Sequence, residues 1–472
     1  MINSPFFTQF LKVSNLFTLA AIILLVLALG FMKVLKDKRT SFSKRMIIAL
    51  VIGLGLGIAL DLVGSSNQIF IDHARTEITV WYGLIGTGFL KLVQLLAIPV
   101  VFLSIIKVVV DVQGDRIKSL TGRTFVTLLG TTAISSVIGI FVVKLFNLQG
   151  VSFAADLTAA KADRMTQVAA QSFPEFFLNL IPSNIIQVMG DNGSIVSVVI
   201  IAAMFASAIR FLKVKKPDQV APFVTLLESL KVTVNSVLTN VIKLMPYGVV
   251  ALVSNTIIAN GIQSILGMLG FIAALYTGVI LMMLVYVVIL IGVGANPVTF
   301  YKKAFTTLLF AFSSRSSVGT LPYTLKTLEG EMGVSGETAN FVGTLGTSIG
   351  MNGCAGVFPA MLGTLIAGAV GTEMNFSFFV LVVVVVTVGS IGIAGVPGTA
   401  TVAATVTLNG LGFGHTISSI GAIFGIDPII DMGRTMLNVC GSMVSAIVVD
   451  KWDGTFNREA YNAPMKASSD EE

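Results

Sequence analysis

Charge is scarce in this sequence. Only 11% of its 472 residues are Asp, Glu, Lys or Arg, against about 25% in a soluble domain. Histidine is scarcer: His73 and His415 fall in loop-like stretches, so they cannot build a metal cluster or serve as a base within a span. A membrane-embedded enzyme with Ser316 or Cys354 as nucleophile would lack that base, so the chain does not read as an enzyme. The two cysteines, Cys354 and Cys440, lie in apolar segments and give neither a disulfide framework nor metal-ligand spacing. No G-x-x-x-x-G-K motif occurs, which removes a P-loop and leaves an ion gradient as the energy source. What is abundant is apolar surface. Hydrophobic residues make up 54% of the chain, in runs of helical length without strand-like alternation. The class is an all-α integral membrane protein with many spans. The net charge of +6 sits in short loops between spans, so no nucleic-acid partner is implied; membrane lipid is.

Residues 15–33 read as a first membrane helix. Their basic flank follows the apolar run, which is the wrong order for a signal peptide. Lys33, Lys36, Lys38, Arg39, Lys44 and Arg45 form the densest basic loop, which the positive-inside rule places in the cytoplasm, with the N-terminus outside. Further spans are expected near 45–63, 84–109 and 124–145, then as two long helices near 177–213 and 222–258, and near 263–293. The connection around Asp72, His73, Arg75 and Glu77 is charge-balanced and should be external, with Trp81 and Tyr82 as interfacial anchors. Residues 150–172 read as a polar external connection and 451–472 as a polar cytoplasmic tail.

The pattern then changes. Residues 297–325 and 376–409 are apolar but broken near the middle by Ser, Gly and Pro. Neither half is long enough to cross about 30 Å of hydrocarbon. Two re-entrant hairpins are the natural reading, with kinked ordinary spans as the alternative. Each is followed by a helix that is polar at its centre: Gly350-Met351-Asn352-Gly353-Cys354, then residues 425–442. Paired interrupted segments point to a transporter site at mid-membrane.

Within 425–442, Asp427, Asp431, Arg434 and Asn438 share one helical face, opposite Ile429, Ile430, Met436 and Val439. Each ionised group there costs roughly 2.5–3.5 kcal/mol to insert, so the stripe should face protein, water or ligand. Asp431 suits an ammonium and Arg434 a carboxylate, a pairing that fits an amino acid. The alternative is an ion pair that only joins two helices. Asp427 reads more naturally as a packing residue than as a cation ligand. Arg315 either borders the site or anchors the hairpin tip.

At Ser314–Pro322, Gly350–Cys354, Ser390–Gly398 and Asp431-Met432-Gly433-Arg434-Thr435, the chain resembles the dicarboxylate/amino acid:cation symporter family. Within that family it is most similar to bacterial L-cystine symporters. The resemblance covers nearly everything after residue 40. It implies an inverted-repeat elevator fold, a homotrimer and a multi-pass protein of the cytoplasmic membrane. The implied divisions are an extra N-terminal helix and basic loop (1–40), scaffold helices (41–115), a transport-domain helix (116–147), scaffold and trimerisation helices (148–260), a transport domain with two hairpins (261–450) and a tail (451–472).

The family pattern gives each site residue a role. Asp431 would hold the substrate ammonium and Arg434 a distal carboxylate. Thr435, Asn438 and Ser317 would meet polar atoms and the α-carboxylate, and Val396 and Ala400 would close from the second hairpin, the gate. Cys354 stands where the family often has threonine. The arginine asks for a substrate with a second carboxylate: L-cystine, or in the alternative glutamate or aspartate. Sodium ligation departs from the family pattern at Gly350, Asn352, Ser442 and Leu128. One site built mainly from backbone carbonyls is expected at Ser348, Met351, Ser390, Ile391 and Ile393. Coupling to few sodium ions, as few as one, follows. Proton coupling stays open, although the position of a protonatable glutamate in some relatives reads Phe358. No other cofactor is expected.

Overall fold

The computed structural model describes the chain apart from residues 1–3, 66–72, 112–113, 150–172, 192–193, 262–267, 392, 394, 397–399, 415, 417–419, 421–422, 424–425 and 466–472. The expected external connection at 150–172, His415 and the end of the tail lie outside the described residues. All regular elements among the described residues are helical. The principal ones are α1 (Leu16–Asp37), α2 (Phe42–Ser65), α3 (Arg75–Asp111), α4 (Gly114–Leu145), α5 (Ile195–Lys215), α6 (Pro217–Ile242), α7 (Met245–Asn260) and α8 (Leu269–Gly292). They continue with α9 (Pro297–Ser314), α10 (Ser317–Gly330), α11 (Gly336–Leu345), α12 (Phe358–Ala369), α13 (Phe376–Gly389), α14 (Ala400–Gly410) and α15 (Asp427–Asp453). Among the described residues, six helices are long and apolar enough to cross a membrane, or seven if the pair α6–α7 counts as one broken span.

The chain divides into two units by internal contacts. Among the described residues, one lies within Met1–Val93 and Thr239–Leu269; the other lies within Gln94–Leu238 and Gly270–Met465. In the first, α2 packs along α7 through bare glycines. A Cβ on Gly53 would press on Val250 and Val253, and one on Gly57 on Ser254 and Ile257. The Ser254 hydroxyl donates to the Gly53 carbonyl at 3.0 Å. The first helix is fastened by Glu77, whose buried carboxylate accepts the Ser14 amide at 3.1 Å, the Asn15 side chain at 3.2 Å and the Thr18 hydroxyl at 2.6 Å. Asn15 also caps α1 through the Thr18 amide. Tyr82, expected as an interfacial anchor, is instead buried, and its hydroxyl donates to the Ala21 carbonyl of α1 at 2.9 Å.

Glu77→Ala would strand these donors inside protein, at a cost of about 1–3 kcal/mol for each group left unsatisfied. Its expected signature is a lower thermal midpoint in detergent together with new protease cleavage in the basic loop at Lys36–Arg39. An unchanged midpoint and digestion pattern would show that α1 is held by other means.

In the second unit, α15 is the centre. Of its best membrane-length window, 94% is buried, against 22–61% for the other five long helices. Little of the helix is left exposed: of the four residues expected opposite the charged stripe, Ile430 and Val439 are buried and Ile429 and Met436 half-buried. The wrapping comes from α4, α9, α10, α11 and the turn at 353–357. The base of α9 is tied down further by the segment after α15. There the Lys303 amine donates to the carbonyls of Glu331 and Ala460, and the Tyr461 hydroxyl donates to the Asn296 carbonyl. Burial pushes the Tyr461 phenol above its ordinary pKa.

Two spans differ from expectation. The helix expected over 177–213 is split into short helices at Phe173–Leu178 and Ile185–Met189 before α5 begins. Pro182 has no amide hydrogen to carry a helix through, and Gly190 ends the second piece. The helix expected over 222–258 is likewise two elements, with Pro246 in the first turn of the second, where its missing amide costs nothing.

Candidate functional site

The segment over 297–325 is an antiparallel helical hairpin. Its arms meet in step: Ser314 with Thr320 near the tip (3.3 Å), then Thr307 with Thr327 (2.8 Å), then Lys303 with the Glu331 carbonyl (2.7 Å). The turn falls at Arg315–Ser316. Arg315 adopts the left-handed conformation (φ 55°) and its amide closes α9 on the Ala311 carbonyl. Ser316 caps α10 through the Gly319 amide at 2.9 Å. Pro322, grouped with the break in the sequence reading, sits inside α10. The second interrupted segment is also a hairpin, with Gly389 of α13 against Val406 of α14 and Gly410 against Val385. With 14 residues in α10, 14 in α13 and 11 in α14, none of these arms reaches 30 Å at 1.5 Å per residue.

The two tips touch. The Gly395 carbonyl accepts the Val318 amide at 2.9 Å and the Ser316 hydroxyl at 3.3 Å. A Cβ on Gly395 would lie 2.6 Å from both the Ser317 Cβ and the Thr347 carbonyl. Only glycine permits this approach.

Between α11 and α12 the helix breaks. Gly350 is left-handed (φ 70°) and lies against the Leu128 backbone; Gly353–Val357 then forms a π-turn. Gly353 packs directly on the Arg434 backbone, where any Cβ would collide with the carbonyl. Asn352 bridges two other helices. Its Oδ1 accepts the Thr132 hydroxyl at 3.0 Å, and its amide donates to the Tyr286 hydroxyl at 2.5 Å.

Against this break stands the charged face of α15. Asn438 receives the Gly353 and Cys354 amides on its Oδ1 (2.7 and 3.1 Å) and donates to the Cys354 thiol (3.1 Å) and the Ser317 hydroxyl (3.5 Å). The Cys354 thiol and the Thr435 hydroxyl each donate to Asp431 Oδ1, at 3.5 and 3.3 Å. Arg434 is fully buried. Its Nη2 contacts Asp427 Oδ1 at 2.6 Å and Asp431 Oδ1 at 3.2 Å, and its guanidinium carbon lies 4.1 Å from the centre of the Phe358 ring. Its Nε and Nη1 have no hydrogen-bond partner among the described residues. Tyr276 donates to the Ile429 carbonyl at 2.9 Å and packs on Gly433, fixing the start of the helix.

Six of the predicted substrate-site residues are therefore placed by direct contacts. Ser317, Cys354, Asp431, Arg434, Thr435 and Asn438 form one connected cluster. Val396 and Ala400 lie at and just past the second tip, half-buried and buried respectively; in the described contacts, Gly395 makes the bridge between tips. Of the five predicted sodium residues, Met351 and Ile393 share one apolar cluster with Cys354, Ala355 and Ala403. Ser348 is buried with its hydroxyl unpartnered, while the Ser390 hydroxyl donates to the Thr387 carbonyl and Ile391 is half-buried. The donor set fits a hard cation to this extent: one orphaned hydroxyl oxygen stands beside a helix break, and backbone carbonyls would supply the rest. Among the described residues no group of three His, Cys, Asp or Glu converges.

Asp427, read from the sequence as a packing residue rather than a cation ligand, is buried and is the nearer of the two partners of Arg434. Its place on the stripe was the available signal. What Gly395, Asn352, Tyr276 and the Phe358 ring touch was not readable, because each contact joins distant segments.

The model of the sodium:dicarboxylate symporter family matches residues 42–452. The chain is 36% identical over 457 residues to the L-cystine uptake protein TcyP of Bacillus licheniformis, covering 94% of this chain and 97% of that protein. It is 34% identical over 460 residues to the protein of the same name from Shouchella clausii, covering 95% and 97%. With a helix break and a hairpin tip set against a helix that carries a buried Asp–Arg–Asp cluster, and a family match across nearly the whole sequence, the chain is a multi-pass membrane protein and belongs to the sodium:dicarboxylate symporter family.

Proposed function

We propose that this protein imports L-cystine across the cytoplasmic membrane by cation-coupled symport. The observation that carries the reading is the Arg434 guanidinium, buried between two aspartates with two nitrogens unpartnered. Such donors inside protein are costly unless a partner satisfies them. The carboxylate of an amphoteric substrate would do so, while Asp431 takes its ammonium. The similarity to two proteins named for L-cystine uptake supports cystine over glutamate or aspartate.

On this reading the residues take the following roles. Asn438 holds the Gly353 and Cys354 amides and so keeps the break open to substrate; with Thr435 and Ser317 it supplies the polar atoms for the α-carboxylate. Val396 and Ala400 close the site from the second hairpin. The two hairpins are re-entrant. The homotrimer, with its static scaffold and moving transport domain, is the arrangement we infer for carrying the site across the bilayer. Sodium is the proposed coupling ion, held by oxygens around Ser348 and Met351 with Ser390, Ile391 and Ile393. It contributes positive charge that offsets the cost of burying the substrate carboxylates. The proton is the alternative, since none of these five positions supplies a carboxylate.

Uptake of labelled L-cystine into proteoliposomes tests both parts. A sodium gradient should drive accumulation above equilibrium, with excess unlabelled cystine competing more strongly than glutamate or aspartate. Replacing sodium with choline should abolish accumulation. Uptake unchanged in choline would transfer the coupling role to the proton, and absence of saturable cystine uptake would overturn the substrate.

A further inference from the structure

A groove of about 410 Å³ lies between α4 and α13, and none of the residues assigned above to the substrate or the sodium ion lines it. Its volume is that of a small-molecule site. Helical period builds its walls. Val137, Phe141 and Lys144 recur at one-turn intervals along α4, and Phe376, Val380 and Val383 do the same along α13. The two helices pack on one another, yet Phe141, Phe376 and Val380 stay exposed. An open apolar groove on a membrane-spanning unit faces acyl chains.

Apolar walls alone do not choose among lipids, because a chain that leaves the bilayer for the groove gains no hydrophobic free energy. The choice falls to the one charge in the lining, Lys144. It stands in the last turn of α4, a helix long and apolar enough to cross a membrane, so it lies near the level of the headgroups. A lysine that only sought water would run its amine outward along the helix. Here the amine instead lies 4.0 Å from the centre of the Phe379 ring on the opposite wall, within range of a cation–π contact. Among the described residues no carboxylate pairs with it. The groove therefore ends in a positive charge that is turned inward and not neutralised. We propose that it holds one acyl chain of an anionic phospholipid, whose phosphate pairs with Lys144. Because α13 is an arm of the second hairpin, the bound lipid braces that arm against α4. The site is independent of which amino acid is carried.

The test measures lipid binding to the purified full chain in detergent by native mass spectrometry. The probes are phosphatidylglycerol and phosphatidylcholine with identical long chains, dihexanoyl phosphatidylglycerol, and free glycerol phosphate. Lys144→Gln should weaken long-chain phosphatidylglycerol about fivefold, the worth of one lysine beside an anionic headgroup, and change phosphatidylcholine by about twofold or less. Lys144→Arg should retain the wild-type preference. Val380→Trp, which fills the groove from an exposed position, should weaken both long-chain lipids by about fivefold or more. The dihexanoyl lipid should bind less tightly than its long-chain counterpart, and glycerol phosphate should not displace either. Unchanged phosphatidylglycerol affinity in Lys144→Gln would overturn the role of the amine. Unchanged affinity in Val380→Trp would overturn the groove, and displacement by glycerol phosphate would make the site one for a free anion. Equal affinity of wild-type protein for the two long-chain lipids would remove the preference altogether.

Discussion

Arg434→Ala should weaken binding of a two-carboxylate amino acid by at least about a hundredfold, roughly 2.7 kcal/mol. Two effects add. The distal carboxylate loses its charge-assisted donors, and Asp427 and Asp431, whose Oδ1 atoms lie 2.6 and 3.2 Å from Nη2, lose their counter-ion. Removing one partner from a buried pair costs about 3–5 kcal/mol, so the ligand-free protein should also melt at a lower temperature. Arg434→Lys separates the two effects. It keeps a positive charge between the aspartates but not the planar fork, so stability should recover largely while affinity stays at least about tenfold down. Calorimetric titration and thermal unfolding in detergent read both quantities. Full affinity in Arg434→Ala would contradict the role given to the guanidinium.

Gly395→Ala should slow transport about tenfold or more while leaving the Asp427–Arg434–Asp431 pairing in place. The added methyl would meet the Ser317 Cβ and the Thr347 carbonyl at 2.6 Å, closer than real contacts allow. Overpacking of this kind costs about 1–3 kcal/mol. The cheapest relief is to part the two tips, breaking the Val318–Gly395 and Ser316–Gly395 hydrogen bonds. Uptake should fall about tenfold or more, and Cys354, buried in the wild type, should become reactive towards a small thiol reagent. Uptake at wild-type rates with Cys354 still protected would show that the contact between tips is not needed.

The sequence made some features readable and hid others for identifiable reasons. The charge stripe was legible because helical period alone aligns Asp427, Asp431, Arg434 and Asn438, and the structure brings the last three together with Cys354 and Ser317. The breaks near Ser314 and Gly350 were legible because Gly, Ser and Pro interrupt apolar runs. The end of α9 at Arg315 was not, since a non-glycine residue takes the left-handed turn there. The split of the 177–213 segment was missed because its hydropathy is continuous while its Pro and Gly positions are decisive. Tyr82 was misjudged because an aromatic near a span end suits an interface or a buried hydroxyl equally well. Its partner, Ala21, is 61 residues away. For Asp427, spacing shows that it shares a face with Arg434 but not which carboxylate lies closer to the guanidinium.

The order of helices along the chain has a consequence for how the protein is made. Every helix that wraps α15 precedes it: α4, α9, α10 and α11 are all synthesised first. On its own, α15 would be a poor substrate for the translocon, since Asp427, Asp431 and Arg434 each resist partitioning by roughly 2.5–3.5 kcal/mol. Emerging after its partners, it can leave the ribosome straight into a waiting proteinaceous groove and never meet acyl chains alone. Biogenesis of this chain is therefore ordered, with its least lipid-soluble span admitted only once the earlier ones have assembled a place for it.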